Sequence, residues 1–201
     1  MTIATPRPGS RTFSLANLLT FGRIAAVPLV IGCMLYSHVF QGGIWLRWVA
    51  LAIYTIAALT DYLDGYIARA WEQTSALGRM LDPIADKLLV ASCLMMLAAD
   101  GTIVGWTLIA GLIILCREIL VSGLREHLAE LHVRVPVSQL AKWKTVAQLV
   151  AVGFLVAGEA GDKVFPYNTD VGLMLLWLAA ILTLYTGWDY ARAAGKHLIE
   201  D

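Results

Sequence analysis

Cysteine, histidine and net charge are all scarce in this chain. Its 201 residues include three cysteines and four histidines, and 15 basic side chains balance 15 acidic ones. Cys33, Cys93 and Cys116 make an odd number without regular spacing, which argues against a disulfide framework and gives no zinc-ligand pattern. All three lie in apolar runs and read as small buried side chains. His38, His127, His132 and His197 are scattered, with no two of them four residues apart, so they read as loop or interface residues. A formal charge of zero implies no partner by itself, and no nucleic-acid partner is expected. There is no internal repeat and no low-complexity tract beyond the short N-terminal tail. No cleavable signal peptide is expected, because the first apolar run is long enough to span a bilayer and lacks a clear small-residue cleavage site.

What the chain has in excess is hydrophobic residues, at 59%, against roughly 45–50% in a soluble domain. The mean hydropathy is +0.70, and the apolar residues fall in long runs. A bilayer-spanning helix needs about 20 such residues. Six stretches qualify: Leu15 to Tyr36, Trp45 to Ala68, Gly78 to Ala99, Ile103 to Leu124, Leu140 to Ala157 and Val171 to Ala191. Charges in the second, third and fourth lie toward one end of each span.

Lysine and arginine are distributed unevenly between the two sides. Arg7 and Arg11, Arg69 and Arg79, Arg125, Arg134, Lys142 and Lys144, and Arg192 and Lys196 fall on one side; Arg47 and Lys163 fall on the other. The positive-inside rule then places both termini in the cytoplasm. The expected fold class is an all-α integral membrane protein with six transmembrane helices. Arg11 to Leu19 is expected to form a short interfacial helix. A cytoplasmic tail over 1–14, a membrane domain over 15–193 and a second tail over 194–201 complete the division.

The most informative stretch is Asp61-x2-Asp64-Gly65-x2-Ala68-Arg69, followed after eight residues by Gly78-x3-Asp82-x3-Asp86. On a helix, Asp61, Asp64, Gly65 and Ala68 share one face, and so do Gly78, Asp82 and Asp86 on the next helix. The connection between them is short and polar, which predicts antiparallel neighbours. Intramembrane carboxylates are costly and usually functional. Four close together repel strongly unless cations neutralise them. Carboxylate oxygens without histidine or cysteine favour hard ions, Mg²⁺ or Mn²⁺, and four aspartates suffice for two ions clamping a phosphoryl group. Gly65, Ala68 and Gly78 leave room for a substrate near the backbone, and Arg69 offers a donor fork for phosphate oxygens.

This motif is identified with the CDP-alcohol phosphatidyltransferases, which it resembles at all eight positions. The resemblance implies an integral membrane enzyme with six transmembrane helices, commonly a homodimer, in a bacterial inner membrane with its active site facing the cytoplasm. It implies two divalent metals on Asp61, Asp64, Asp82 and Asp86, with Asp86 as general base. It implies CDP-diacylglycerol bound through its pyrophosphate at Gly65, Ala68, Arg69 and Gly78.

Arg117-Glu118-x6-Arg125-Glu126, Lys142-Trp143-Lys144-Thr145 with Gln148, Asn17-x2-Thr20-x2-Arg23 and Asp82-Pro83-x2-Asp86-Lys87 look like the phosphatidylglycerophosphate synthase branch of that family. Ala141 and Ala16 depart from its pattern, where glycine and proline are expected. This branch implies glycerol-3-phosphate as acceptor. The residues agree: a dianionic acceptor needs fixed positive charge, and Arg117, Arg125, Lys142 and Lys144 lie on the cytoplasmic ends of the fourth and fifth helices. Lys142 and Lys144 are two apart and do not share a helix face, so at most one of the two is expected to reach the phosphate. Glu118 and Glu126 are read as orienting the arginines. Other acceptors (inositol phosphate, serine or phosphatidylglycerol) would use the same chemistry. A divalent-cation transporter is the alternative from another class, disfavoured because no matched pair of broken helices is visible.

Overall fold

Six helices account for nearly all of the computed structural model, which describes residues 15–40, 43–71, 76–131 and 139–198. For residues 15–17, 38, 61–71, 76–79, 82, 130 and 196–198 only the backbone is described. The helices are α1 (Leu15–Val39), α2 (Trp45–Trp71), α3 (Ala76–Ala99), α4 (Trp106–Glu130), α5 (Gln139–Asp162) and α6 (Asn168–Leu198), with no strand among the described residues. Each forms where an apolar run is long enough to satisfy its own backbone hydrogen bonds away from water.

Three helix ends coincide with the expected ones, at Leu15, Trp45 and Ala99. α4 begins at Trp106 rather than Ile103, because Gly101 and Gly105 take positive φ angles of 80° and 55° and turn the chain. Ile103 is buried in that turn, and its N–H donates to the Leu97 carbonyl at 2.9 Å. α6 continues past 193 to Leu198, and Ala194 packs with Val121, Leu128 and Tyr190. The interfacial segment expected over Arg11 to Leu19 lies partly outside the described residues, and its last five residues belong to α1.

Around the bundle, α1 packs on α2 and α3, α2 on α5, α5 on α6, and α6 on α4; α3 also touches α4 and α5. Among the described residues α2 and α3 touch each other only lightly and pack more on α1. The core is built from small and branched residues, among them Ala50, Ala57, Ala110, Ala151, Ala179 and Ala180. Such residues let membrane helices approach closely where water cannot drive association.

Many large apolar side chains face outward, including Leu29, Leu112, Ile119, Leu178 and Ile181. A soluble monomer rarely exposes so continuous an apolar surface. Among the described residues four helices contain a span long and apolar enough to cross a membrane: Leu18–Ser37, Trp106–Ala129, Gln139–Asp162 and Asn168–Gly195. Exposed aromatics mark both ends, with Trp45, Trp106 and Tyr167 at one and Trp143 and Trp188 at the other. Amphipathic rings favour the bilayer–water boundary. Tyr167 and Trp188 are 21 residues apart, about 32 Å at helical rise, close to a hydrocarbon thickness of about 30 Å. The three cysteines are free thiols. Cys93 is buried as expected, whereas Cys116 is exposed, because it lies on the outward flank of α4 with Leu112 and Ile119.

The end bearing Trp45 and Tyr167 is closed by a buried ion pair. Arg47 Nη2 lies 2.5 Å from Asp100 Oδ2, with side chains 3% and 4% exposed. Arg47 Nη1 also donates to the Val156 carbonyl at 3.4 Å. α5 kinks beside it at Gly158, whose φ is 45°. A side chain there would be strained and would bring its Cβ to 3.1 Å from Arg47 Nη1. Asn168 Nδ2 donates to the Phe154 and Gly158 carbonyls at 2.9 and 3.3 Å, satisfying acceptors that the kink releases.

Candidate active site

The opposite end gathers polar side chains from α3, α4, α5 and α6. Arg117 and Glu118 follow the apolar run Leu112 to Cys116 on α4, where a charge needs partners from neighbouring helices. Arg117 Nη2 donates to Thr186 Oγ1 on α6 at 3.3 Å, and Thr186 donates in turn to the Leu182 carbonyl at 2.8 Å. Arg117 Nη1 lies 3.5 Å from Glu118 Oε1. The same carboxylate oxygen receives a hydrogen bond from Lys144 Nζ on α5. One glutamate therefore holds two cations from two helices. Gly187 makes this possible on α6, since a Cβ there would meet Arg117 Cγ at 2.9 Å.

Lys144 is only 4% exposed, and Gln148, one turn along the same face, is 5% exposed. Their stripe continues into the core through Val152 and Leu155. Three buried polar atoms here have no hydrogen-bond partner among the described residues: Arg117 Nε, Gln148 Oε1 and Thr183 Oγ1. Native structures leave few such groups, and each calls for an explanation such as a ligand or water.

Asp86 joins this cluster from α3. It lines a small cavity of about 40 Å³ with Lys87, Val90, Glu118, Ile119 and Gln148. Lys144 is near enough to Asp86 for their charges to interact. Lys87 bends back to donate to the Pro83 carbonyl at 3.0 Å.

Asp61, Asp64, Gly65, Ala68, Arg69, Gly78 and Asp82 have helical backbones in α2 and α3, and their side chains lie outside the described residues. Of the four cations expected at the acceptor site, the fold brings Arg117 and Lys144 together. Lys142 is exposed, on the outward face of α5 with Val146 and Val150. Arg125 is exposed two turns beyond Arg117, with its guanidinium carbon 5.8 Å from the centre of the Tyr190 ring. Among the described residues no three histidine, cysteine or acidic side chains form a metal cluster.

The residues missing from the expected site are Gln148, Thr186 and Gly187, together with the link from Glu118 to Lys144. Gln148 carried a sequence signal, since it lies four residues from Lys144 and shares its face. Arg23 is a further case. It is 2% exposed and lines a cavity of about 350 Å³ between α1 and α2 with Gly22, Ala26, Ala57 and Thr60. Thr60 immediately precedes Asp61. A larger concavity lies elsewhere, a groove of about 730 Å³ between α2 and α5 lined by Leu51, Tyr54, Ala58, Val150 and Phe154. Its walls are almost wholly apolar and offer phosphate no partner.

Fold and site together define a helical membrane protein with a charged cavity at one end of the bundle. Residues 13–185 match the family model described as CDP-alcohol phosphatidyltransferase. The chain is also similar to three proteins named CDP-diacylglycerol–glycerol-3-phosphate 3-phosphatidyltransferase. The Rickettsia bellii protein is 43% identical over 92% of this chain and 97% of its own length. The Cereibacter sphaeroides protein is 37% identical over 94% and 99%, and the Haemophilus influenzae protein 34% over 94% and 97%. The chain belongs to the CDP-alcohol phosphatidyltransferase family and is a membrane-associated transferase of phospholipid biosynthesis.

Proposed function

We propose that the chain transfers the phosphatidyl group of CDP-diacylglycerol to the sn-1 hydroxyl of glycerol-3-phosphate, giving phosphatidylglycerophosphate and CMP. The observation that carries this reading is the place of Asp86. It is the last aspartate of an intact family motif, and it opens onto a cavity beside a Glu118-centred pair of cations. A carboxylate next to an anion-binding pair suits an acceptor with a hydroxyl at one end and a phosphate at the other. The names of the relatives support the same acceptor.

Asp61, Asp64, Asp82 and Asp86 would hold two divalent cations, Mg²⁺ or Mn²⁺; an all-carboxylate donor set fits such hard ions. When bound, the ions offset the negative charge on the phosphate oxygens. Arg69 donates to the diphosphate, while Gly65, Ala68 and Gly78 leave room for the cytidine nucleotide. Arg117 and Lys144 hold the acceptor phosphate, with Glu118 fixing both donors. Arg125 and Lys142, both exposed, add positive charge to this end of the bundle and attract the dianion. Asp86 accepts the proton of the sn-1 hydroxyl. The oxygen forms a bond to the lipid-bearing phosphorus, and the bond from that phosphorus to the CMP oxygen breaks. Alignment of hydroxyl and phosphorus contributes more than the basicity of a carboxylate.

All six helices cross the membrane in this reading, with both termini and the site on the cytoplasmic face of a bacterial inner membrane. The uneven placement of lysine and arginine supports that orientation. The family resemblance supports a homodimer.

The test is release of labelled CMP from CDP-diacylglycerol by the purified protein with glycerol-3-phosphate and Mn²⁺, and its loss on chelation. Faster release with inositol phosphate or serine would reject the acceptor, and no release with any alcohol would reject the reaction.

A further inference from the structure

We infer that Gln148 reads the middle hydroxyl of the acceptor, making it a specificity-determining residue for a vicinal diol phosphate. The inference rests on the proposed acceptor and extends it to a part of the molecule that neither Asp86 nor the cations address.

Three observations support it. Gln148 is 5% exposed on a helix otherwise apolar at this depth, and its amide oxygen has no hydrogen-bond partner among the described residues. A buried polar group left in that state is costly, so a partner that arrives with the ligand accounts for its presence. Gln148 also shares the 40 Å³ cavity with Asp86 and Glu118. That volume admits a hydroxyl-bearing carbon or a few waters, but no ring.

The third observation is the order of the groups. Lys144, held with Arg117 by Glu118, stands one helical turn from Gln148, and Asp86 lines the same cavity as Gln148. Glycerol-3-phosphate has the same sequence of groups: phosphate, middle hydroxyl, terminal hydroxyl. With its phosphate on Arg117 and Lys144 and its terminal hydroxyl at Asp86, its middle hydroxyl falls at the Gln148 amide. A hydroxyl donates to the amide oxygen and accepts from the amide nitrogen, so the pairing is complete whichever way the amide is turned.

The experiment compares kcat/KM for CMP release with glycerol-3-phosphate and with 3-hydroxypropyl phosphate, which lacks only the middle hydroxyl. The wild-type protein is expected to prefer glycerol-3-phosphate by about 10- to 100-fold, because the analogue leaves the amide unpaired. In Gln148→Leu the rate with glycerol-3-phosphate falls, the rate with the analogue holds, and the ratio approaches one. An equal loss with both acceptors would make Gln148 a packing residue and overturn the inference. Should Gln148→Leu fail to accumulate, Gln148→Met is read in the same way. The wild-type ratio is a test in itself: a value near one overturns the inference while leaving the proposed reaction standing. Failure of the wild-type protein to use glycerol-3-phosphate at all would overturn both.

Discussion

Removing the Glu118 carboxylate should be among the most damaging single changes at the charged end. Glu118 stands between Lys144 and Arg117, with side-chain exposures of 18%, 6% and 13% respectively. Glu118→Gln leaves two cations without that shared counter-charge. Breaking a buried pair in this way costs about 3–5 kcal/mol, and water reaching the partly exposed Glu118 keeps the expected loss near the lower end, about 3 kcal/mol. Lys144→Met is milder, at about 1–2 kcal/mol, because the carboxylate keeps Arg117 3.5 Å away. Replacing both, as Glu118→Gln with Lys144→Met, removes charge and counter-charge together and should cost less than the sum of the single changes. The double-mutant cycle should therefore give a coupling of about 2–3 kcal/mol, measured by reversible unfolding in mixed micelles. A coupling under about 0.5 kcal/mol would refute the reasoning, since the pair would then contribute no more than two independent surface charges. In the transferase assay, Glu118→Gln should raise KM for the acceptor while leaving KM for CDP-diacylglycerol nearly unchanged.

Three further changes separate chemistry, positioning and scaffold. Asp86→Asn should lower kcat by about 10³-fold at unchanged helical content by circular dichroism; CMP release at the wild-type rate would exclude Asp86 as the proton acceptor. Gly187→Ala adds a Cβ 2.9 Å from Arg117 Cγ, on the stem of the side chain rather than its mobile tip. Steady-state kinetics should show a loss of about 10- to 100-fold in kcat/KM for the acceptor, and unaltered kinetics would show that Arg117 does not bind it. Asp100→Leu removes the carboxylate 2.5 Å from the buried Arg47 guanidinium and should cost about 3 kcal/mol in unfolding measurements. Because Asp100 is 14 residues beyond Asp86, about 20 Å along and past α3, kcat of the folded fraction should hold.

The helices were legible because length and hydropathy are local properties. A run such as Leu15 to Tyr36 has few alternatives in lipid other than a helix. The start of α4 was not legible, because the positive φ angles of Gly101 and Gly105 are a backbone choice that the pattern of apolar residues does not encode. The Arg47–Asp100 pair was hidden for a different reason. Its partners are 53 residues apart, and each alone looks like a stray charge at a loop. At the charged end, the i,i+2 spacing of Lys142 and Lys144 already separates their faces. Which one turns inward was not readable, because the stripes Lys144, Gln148, Val152, Leu155 and Lys142, Val146, Val150 both run on into apolar residues, and only the packing of α5 buries the first. Nor was the reach of Glu118 across to α5, because it depends on how α4 and α5 are set against each other.

The two ends of the bundle treat buried charge in opposite ways, and the contrast argues for where a ligand belongs. At the Trp45 end, Arg47 faces Asp100, a backbone carbonyl supplements the pair, and Asn168 covers the carbonyls freed at the Gly158 kink. That is how a membrane bundle fixes its own packing, with polar groups satisfied from within. At the other end two cations share one carboxylate, and Arg117 Nε, Gln148 Oε1 and Thr183 Oγ1 have no partners among the described residues. Left to itself such an arrangement is costly, yet through Glu118 and Gln148 it adjoins a cavity of only about 40 Å³ rather than the 730 Å³ apolar groove between α2 and α5. Volume therefore points away from the chemistry, while incomplete hydrogen bonding points toward it. A dianion bearing hydroxyls would supply what this end lacks, negative charge for Arg117 and Lys144 and a donor for Gln148. Part of its binding energy would then come from completing a network that the fold leaves open.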